Sequence, residues 1–196
     1  MNSKKQSHTM INRRDFLKIS SLLVGTGMLS NVHAKKIDIE KLFAIKKPSK
    51  SLKLYNINSK ESLKVEFYTN GKYNKNGLHE IYKFMSDKRS GEVAKIDNSL
   101  IESIYHLQQK LDIDEPISIL SGYRSVKTNN KMAKKSKGVS KDSYHTKGMA
   151  VDVFVKDMSI HHLHDVIQDI HTGGIGYYPS SGFVHMDVGP VRNWIG

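Results

Sequence analysis

The feature that most limits how this chain can fold is a carboxylate set inside an apolar run, Met149-Ala150-Val151-Asp152-Val153-Phe154-Val155. The run is short and rich in β-branched residues, which predicts a buried strand. Side chains alternate along a strand, so Val151, Val153 and Val155 share one face and Asp152 shares the other with Phe154. An unpaired buried carboxylate is costly, so the fold must bring a partner to Asp152. His145 lies seven positions earlier, in a loop that ends at Gly148 and can turn back toward the strand. A second run, Gly182 to Val188, repeats the pattern. Val184, Met186 and Val188 fall on one face, and Phe183, His185 and Asp187 on the other. His185 and Asp187 therefore point the same way, about 7 Å apart by strand rise.

Two imidazoles and one carboxylate form the donor set of a catalytic zinc, which takes about three protein ligands and leaves one position open. His145, Asp152 and His185 are the candidates. The net positive charge such a set leaves on the metal acidifies bound water and polarises a carbonyl. Asp187 is placed to act as a base or as the hydrogen-bonding partner that ligating histidines usually have. The alternative for each histidine is an ordinary half-buried side chain with a satisfied hydrogen bond. A short strand, Pro116 to Leu120, delivers Ser121-Gly122-Tyr123-Arg124-Ser125. Arg124 there either enters a cleft, where its fork suits a carboxylate or developing oxyanion, or makes a loop ion pair.

These residues also carry a resemblance. Ser143, His145, Gly148, Ala150 and Asp152 match in full the pattern Ser-x-His-x-x-Gly-x-Ala-x-Asp of the zinc peptidases grouped as lysostaphin, D-Ala-D-Ala metallopeptidase and sonic hedgehog. Within that group, Ile119–Ser125, Ser143–Asp152, Gly174–Pro179 and Gly182–Asp187 resemble, in this order, the murein endopeptidases of the MepK type. The resemblance covers about residues 50–196. It implies one zinc ion held by His145, Asp152 and His185, with Arg124 near the scissile group. It implies hydrolysis of peptide cross-links in peptidoglycan, including those between meso-diaminopimelate residues. Many members place a Glu three residues before the last ligand or a His two before it; here those positions are Gly182 and Phe183. The base is thus not transferred by the motif, and Asp187 is the candidate left by position.

The chain's 196 residues suffice for one domain with a substantial core. It has no cysteine, which excludes thiol catalysis, disulfides and cysteine-based zinc sites. Its net charge is +12, which suits an anionic partner; murein peptides carry free carboxylates, and no nucleic-acid motif is present. Asn12-Arg13-Arg14-Asp15-Phe16-Leu17-Lys18 reads as a twin-arginine region. A short apolar run to Leu29 and a small-residue site at Val32-His33-Ala34 follow it. Residues 1–34 are therefore read as an export signal to the periplasm, with no membrane span retained after cleavage. Residues 35–50 read as a polar arm, and residues 51–196 as the peptidase domain.

Within that domain, Ser51–Ile57 and Ser62–Tyr68 alternate as a hairpin expected at the edge of the main unit, and Asn70-Gly71 signals a second turn. Leu78, Ile81, Tyr82 and Met85 form one helical stripe, and Leu100, Ile104, Leu107 and Leu111 another. Asp97 or Ser99 caps the second helix, and Ser99 with Glu102 offers a capping box. A lysine-rich stretch from Lys127 to Lys141 reads as a helix to about Lys135 and then a loop. It is either a solvated basic face or an attractor of anionic polymer. Ser159 to Thr172 is a helix on Ile160, Leu163, Ile167 and Ile170, with His161, His162, His164 and His171 off its stripe. His79 and His106 read as surface residues, and Trp194 as structural. Gly173, Gly174 and Gly176 indicate close backbone approach, and Tyr177 or Tyr178 is available to donate to a tetrahedral intermediate. The expected fold is α+β, a small antiparallel-rich sheet carrying the ligands with helices on one side. Two rival functions share the fold: a D,D-carboxypeptidase on stem peptides, and a non-catalytic zinc-containing wall-binding protein.

Overall fold

The computed structural model describes residues 49–196 apart from Lys137. The export signal and nearly all of the arm, residues 1–48, lie outside the described residues. Twelve elements follow one another in an α+β order. Strands β1 (Lys50–Asn56), β2 (Glu61–Thr69) and β3 (Lys72–Tyr73) come first, then helices α1 (Lys75–Phe84) and α2 (Asn98–Leu111). Strand β4 (Ile117–Ser121), helix α3 (Val126–Ala133), strand β5 (Ala150–Phe154) and helix α4 (Ile160–Ile170) continue the chain. Strands β6 (Gly174–Tyr178), β7 (Phe183–Asp187) and β8 (Arg192–Ile195) close it.

The α+β class is as expected, but the sheet is neither small nor purely antiparallel. Among the described residues it has eight strands in the order β3-β2-β1-β4-β5-β7-β6-β8. β1 runs parallel to β4, and β6 parallel to β8, while the other neighbours are antiparallel. The expected edge hairpin is therefore part of the main sheet. Leu54, Tyr55 and Asn56 align with Ile117, Ser118 and Ile119, and the backbone ladder of β4 is satisfied on both sides. The Asn70-Gly71 turn links β2 to β3 with both residues at positive φ (53° and 80°), the geometry that favours this dipeptide in tight hairpins.

Apolar side chains of one face of the strands (Leu52, Leu54, Ile117, Val151, Val153, Val184, Met186) join the helical stripes in one core. Leu78 and Ile81 of α1, Ile104 and Leu107 of α2, and Leu163 and Ile167 of α4 supply the stripes. α2 is capped by Asp97, whose carboxylate accepts from the Ser99 N–H at 2.8 Å. The expected capping box does not form. Glu102 turns outward to Lys50 Nζ (2.7 Å) and the Tyr73 hydroxyl (3.1 Å), tying the helix to the outer strands. Because the core takes one face of β5 and β7, alternation leaves Asp152, His185 and Asp187 on the other, and the pairing register sets Asp152 directly across from His185.

Candidate metal centre

His145 reaches the strands through a 3-10 turn, Tyr144–Lys147. Ser143 caps the turn, its hydroxyl accepting from the His145 N–H at 3.3 Å. Gly148 ends it at φ +67°, a conformation suited to glycine, and donates to the His145 carbonyl at 3.3 Å. The ring is aimed by the loop after β4. Gly122 packs so closely on the Met85 backbone that a Cβ there would sit 2.6 Å from its carbonyl oxygen. That approach puts the Gly122 carbonyl 2.7 Å from His145 Nδ1.

Three donor atoms then converge. His145 Nε2 lies 3.2 Å from Asp152 Oδ1 and 3.2 Å from His185 Nδ1, and those two are 2.8 Å apart. Ligands about 2.0–2.1 Å from a tetrahedral zinc are roughly 3.3 Å from one another, so the triangle is near the size the ion requires. Proton bookkeeping gives a stronger test of fit. A carbonyl only accepts, so His145 carries its proton on Nδ1 and turns the Nε2 lone pair inward. His185 Nε2 lies 2.9 Å from Asp187 Oδ2, so its proton belongs there and its Nδ1 lone pair also turns inward. Two lone pairs and a carboxylate oxygen facing one point repel unless a cation sits among them. The donor set fits a divalent metal of the zinc type.

All three side chains are buried, His145 to 2% exposure. Burial lowers the His145 pKa and keeps that ring neutral, the form a metal needs. Burial opposes the charge on Asp152, but His145 and His185 hold it well below the usual carboxylate range. Burial also works against a charged His185, and the flanking carboxylates Asp152 and Asp187 outweigh it and raise its pKa. A positive charge is thus favoured at this point, from a proton or from an ion.

Asp187 is fully buried. Besides His185 it accepts from Arg192 at both oxygens (2.6 and 3.0 Å) and from the Gly189 N–H (2.9 Å). Burial would raise its pKa, and these donors with His185 lower it instead. Arg192 went unnoticed in the sequence. The signal was available: a buried Asp187 needs a cation, and no other Lys or Arg follows Lys156. The Arg192 guanidinium is held between the rings of Tyr144 (5.0 Å) and Trp194 (5.1 Å). Trp194, 5.2 Å from the His185 ring, belongs to the site as well as to the scaffold. Gly174 and Gly176 make room for both: a Cβ on Gly174 would collide with Arg192, and one on Gly176 would meet the indole at 2.6 Å.

Arg124 is buried beside the centre. Its Nη2 lies 3.4 Å from Asp152 Oδ2, its Nε donates to the Ser121 hydroxyl (3.2 Å), and its Nη1 faces the Asn129 amide oxygen (3.4 Å). A cleft of about 660 Å³ opens over the donors, walled by Arg124, Tyr144, Tyr178, Phe183, Arg192 and Trp194. Tyr178 stacks on Phe183 (4.5 Å, 14°) and its hydroxyl accepts from Trp194 Nε1 at 2.9 Å. Tyr177 alternates to the opposite face, where its ring meets those of His161 and His164. There His161, His164 and Asp165 bring donor atoms within 4.8 Å of one another on the surface of α4. His171 is not a solvated residue of that helix, since its Nε2 lies 2.8 Å from the Asp187 carbonyl oxygen. His79 and His106 are exposed and belong to no such grouping among the described residues.

A mixed sheet that presents a His-Asp-His donor triangle at the floor of an open cleft is the arrangement of a candidate metal centre open to substrate. The comparisons with known proteins agree. A family described as peptidoglycan L,D-endopeptidase MepK matches residues 44–194. Curated relatives of that description from Escherichia coli (strain K12) and Shigella flexneri are each 34% identical over 183 residues, covering 93% of this chain and 97% of theirs. One from Haemophilus influenzae, described as probable, is 33% identical over 186 residues, covering 94% and 96%. No solved structure matches. The chain belongs to the MepK family of peptidases.

The loop that carries Arg124 hangs on one buried carboxylate, Asp87. It accepts from the Ser125 hydroxyl (2.8 Å) and N–H (3.0 Å), from the Arg89 N–H (2.9 Å) and from the Ser90 hydroxyl (2.9 Å). Burial disfavours its charge, but the Thr128 hydroxyl, the Arg89 and Ser125 N–H groups and the Ser125 hydroxyl hold its pKa far below the usual value. A depressed carboxylate contributes stability that is present above its unfolded pKa of about 3.9 and is lost as the pH falls below it. Asp87→Ala is expected to cost about 2–4 kcal/mol in urea unfolding at pH 7. The gap to the wild type should narrow as the pH is taken from 5 toward 3; a constant gap would contradict a charge-dependent clamp.

Proposed function

We propose that this protein is a zinc-dependent murein endopeptidase that hydrolyses peptide cross-links of peptidoglycan, including links between meso-diaminopimelate residues, in cell-wall remodelling. One observation carries the reading: two imidazole lone pairs and the Asp152 oxygen converge at the floor of a cleft open to a peptide. The L,D-endopeptidase description of the relatives supports the substrate class. His145 Nε2, Asp152 Oδ1 and His185 Nδ1 would hold the zinc. When bound, it supplies Lewis-acid polarisation of the scissile carbonyl and acidification of water.

The chain's own residues do the rest. Gly122 and Asp187 each hold a proton on the outer nitrogen of a ligand histidine, which fixes the tautomer and the ring plane. Arg124 balances the second oxygen of Asp152 and presents a guanidinium on the cleft wall, where it can bind a substrate oxygen as negative charge develops. Tyr178 lines the same wall; its hydroxyl already accepts from Trp194, so its own proton is free to be donated. Of the two roles open to Asp187, the geometry favours the partner of His185 over the base. Both its oxygens are engaged by donors, Arg192 neutralises it, and it has no exposed edge. Delivery to the wall follows from Arg13-Arg14 and Phe16-Leu17, which support export to the periplasm by the twin-arginine route.

Three outcomes are expected. Cross-linked muropeptide dimers incubated with the purified protein and zinc should yield monomers, resolved by mass spectrometry, with activity lost in chelator and at least 10³-fold lower in His185→Ala. Release of a terminal D-alanine from intact dimers would move the assignment to a D,D-carboxypeptidase, and bound zinc with no product would move it to a wall-binding protein. Asp187→Asn should weaken zinc binding about 10–100-fold in a competition titration; unaltered zinc affinity with turnover abolished would return Asp187 to the role of base. Replacing Arg13 and Arg14 by lysine should leave the protein in the cytoplasmic fraction, and undiminished periplasmic protein would exclude the route.

A further inference from the structure

A second cavity, about 670 Å³, opens beside the catalytic cleft and shares Arg89 and Met132 with it. One wall is helix α3 and the turn after it. Lys127 and Lys131, four residues apart, share one face of α3, and Lys135 of the turn lines the same wall. The facing wall is the turn Arg89-Ser90, with Glu92 as the only acidic residue of the lining. Among the described residues none of these four cations is in an ion pair. Lys50, Lys53, Lys88 and Lys147 are paired, while several other described lysines are not, so what marks this groove is the gathering of four cations around one cavity.

The two walls are joined rigidly. Asp87 accepts from the Arg89 N–H on one side and from Ser125, the N-cap of α3, on the other. A single carboxylate of 1% exposure therefore sets the width of the groove and the position of Arg124 together. Arg89 stands where the groove meets the cleft. Unpaired cations held apart by a fixed frame, continuous with a hydrolytic cleft, are an anion-binding arrangement. No aromatic ring lines the groove to stack a base, which separates it from a nucleic-acid track.

We infer that this groove is a substrate subsite: Arg89, Lys127, Lys131 and Lys135 bind the free carboxylates of the second stem peptide of a cross-linked dimer. The inference rests on the murein reading above. A cross-link carries peptide on both sides of the bond to be cut, and the strand that leaves the cleft past Arg89 enters the groove. Ammonium and guanidinium groups on both walls then favour dimers with ionised carboxylates over monomers and over amidated peptides. Recognition by exposed charges is sensitive to salt, because the screening length is about 8 Å at physiological ionic strength.

The test compares wild type with Lys127→Glu/Lys131→Glu/Lys135→Glu and with the corresponding triple Gln variant, on dimers with free carboxylates and on the same dimers amidated. Three exposed pairs predict that KM for the free-acid dimer rises roughly tenfold in the Glu variant and less in the Gln variant, with kcat within about twofold. On amidated dimers wild type should already show the raised KM, and the variants should add little. A KM on free-acid dimer that moves less than twofold in the Glu variant, while its circular dichroism and thermal midpoint match wild type, overturns the subsite. Direct titration of uncut dimer onto the zinc-free protein separates this inference from the activity. Charge-dependent binding to the zinc-free protein upholds the groove whatever the activity, and the zinc-loaded protein's failure to cleave the same dimer is what defeats the endopeptidase reading. Charge-dependent capture of anionic lipid vesicles, with dimer binding the same in wild type and variant, assigns the groove to a membrane surface and also overturns the proposal.

Discussion

Three acceptors that face one another with no donor between them are unstable in a protein interior until a cation enters. The whole site face of this sheet is arranged around that condition. The strand register brings Asp152 opposite His185, and the Gly122 and Asp187 oxygens take the outward protons of the two histidines. With His185 neutral, the inward atoms are left with lone pairs only. The burial that raises the cost of the arrangement also narrows how it is satisfied: a buried, neutral His145 and a buried, ionised Asp152 call for a positive charge, from a proton on His185 or from a small divalent ion.

Such a site needs depth and rigidity, and small residues supply both. On the site face, Gly174 and Gly176 stand beside Asp187 and His185 in the β6–β7 register. Their missing side chains let Arg192 and Trp194 of β8 lie across the sheet against Asp187 and His185. The parallel pairing of β8 with β6 is what carries Arg192 back to Asp187. One guanidinium between two aromatic rings neutralises a carboxylate that would otherwise be buried with a full charge. On the other side of the cleft Asp87 does comparable work with hydrogen bonds alone. It fixes the turn of Arg89, the cap of α3 and, through the intervening loop, Arg124. The two carboxylates frame the cleft without touching its centre.

Much of this was legible one-dimensionally. Alternation in two short runs separated the ligand face from the core face, because strand periodicity needs no knowledge of neighbours. The loop at Gly148, the turn at Asn70-Gly71 and the helical stripes of α1, α2 and α4 likewise follow from local sterics and amphipathicity. Where local signals competed, reading the sequence misled. Ser99 and Glu102 have capping-box spacing, yet Asp97 takes the cap and Glu102 goes to Lys50 and Tyr73, partners about 50 and 29 positions away. The sheet was expected to be small because pairing between β1 and β4 is a long-range contact with no local mark.

The sequence by itself singled out His145, Asp152 and His185 as candidate donors, since a carboxylate in an apolar strand needs a partner and alternation sets Asp152 and His185 apart from the core side chains of their own strands. It also determined that Asp187 points with His185, because two residues apart on a strand is the same side. Tertiary structure alone decided that Asp187 is saturated by Arg192, that Trp194 lies against His185 and that Tyr178, not Tyr177, faces the cleft. It alone decided that Asp87 joins the walls of a second groove. Each of these depends on which strands are neighbours and on how closely backbones approach. Both are set by packing over the entire chain, and no single stretch encodes them.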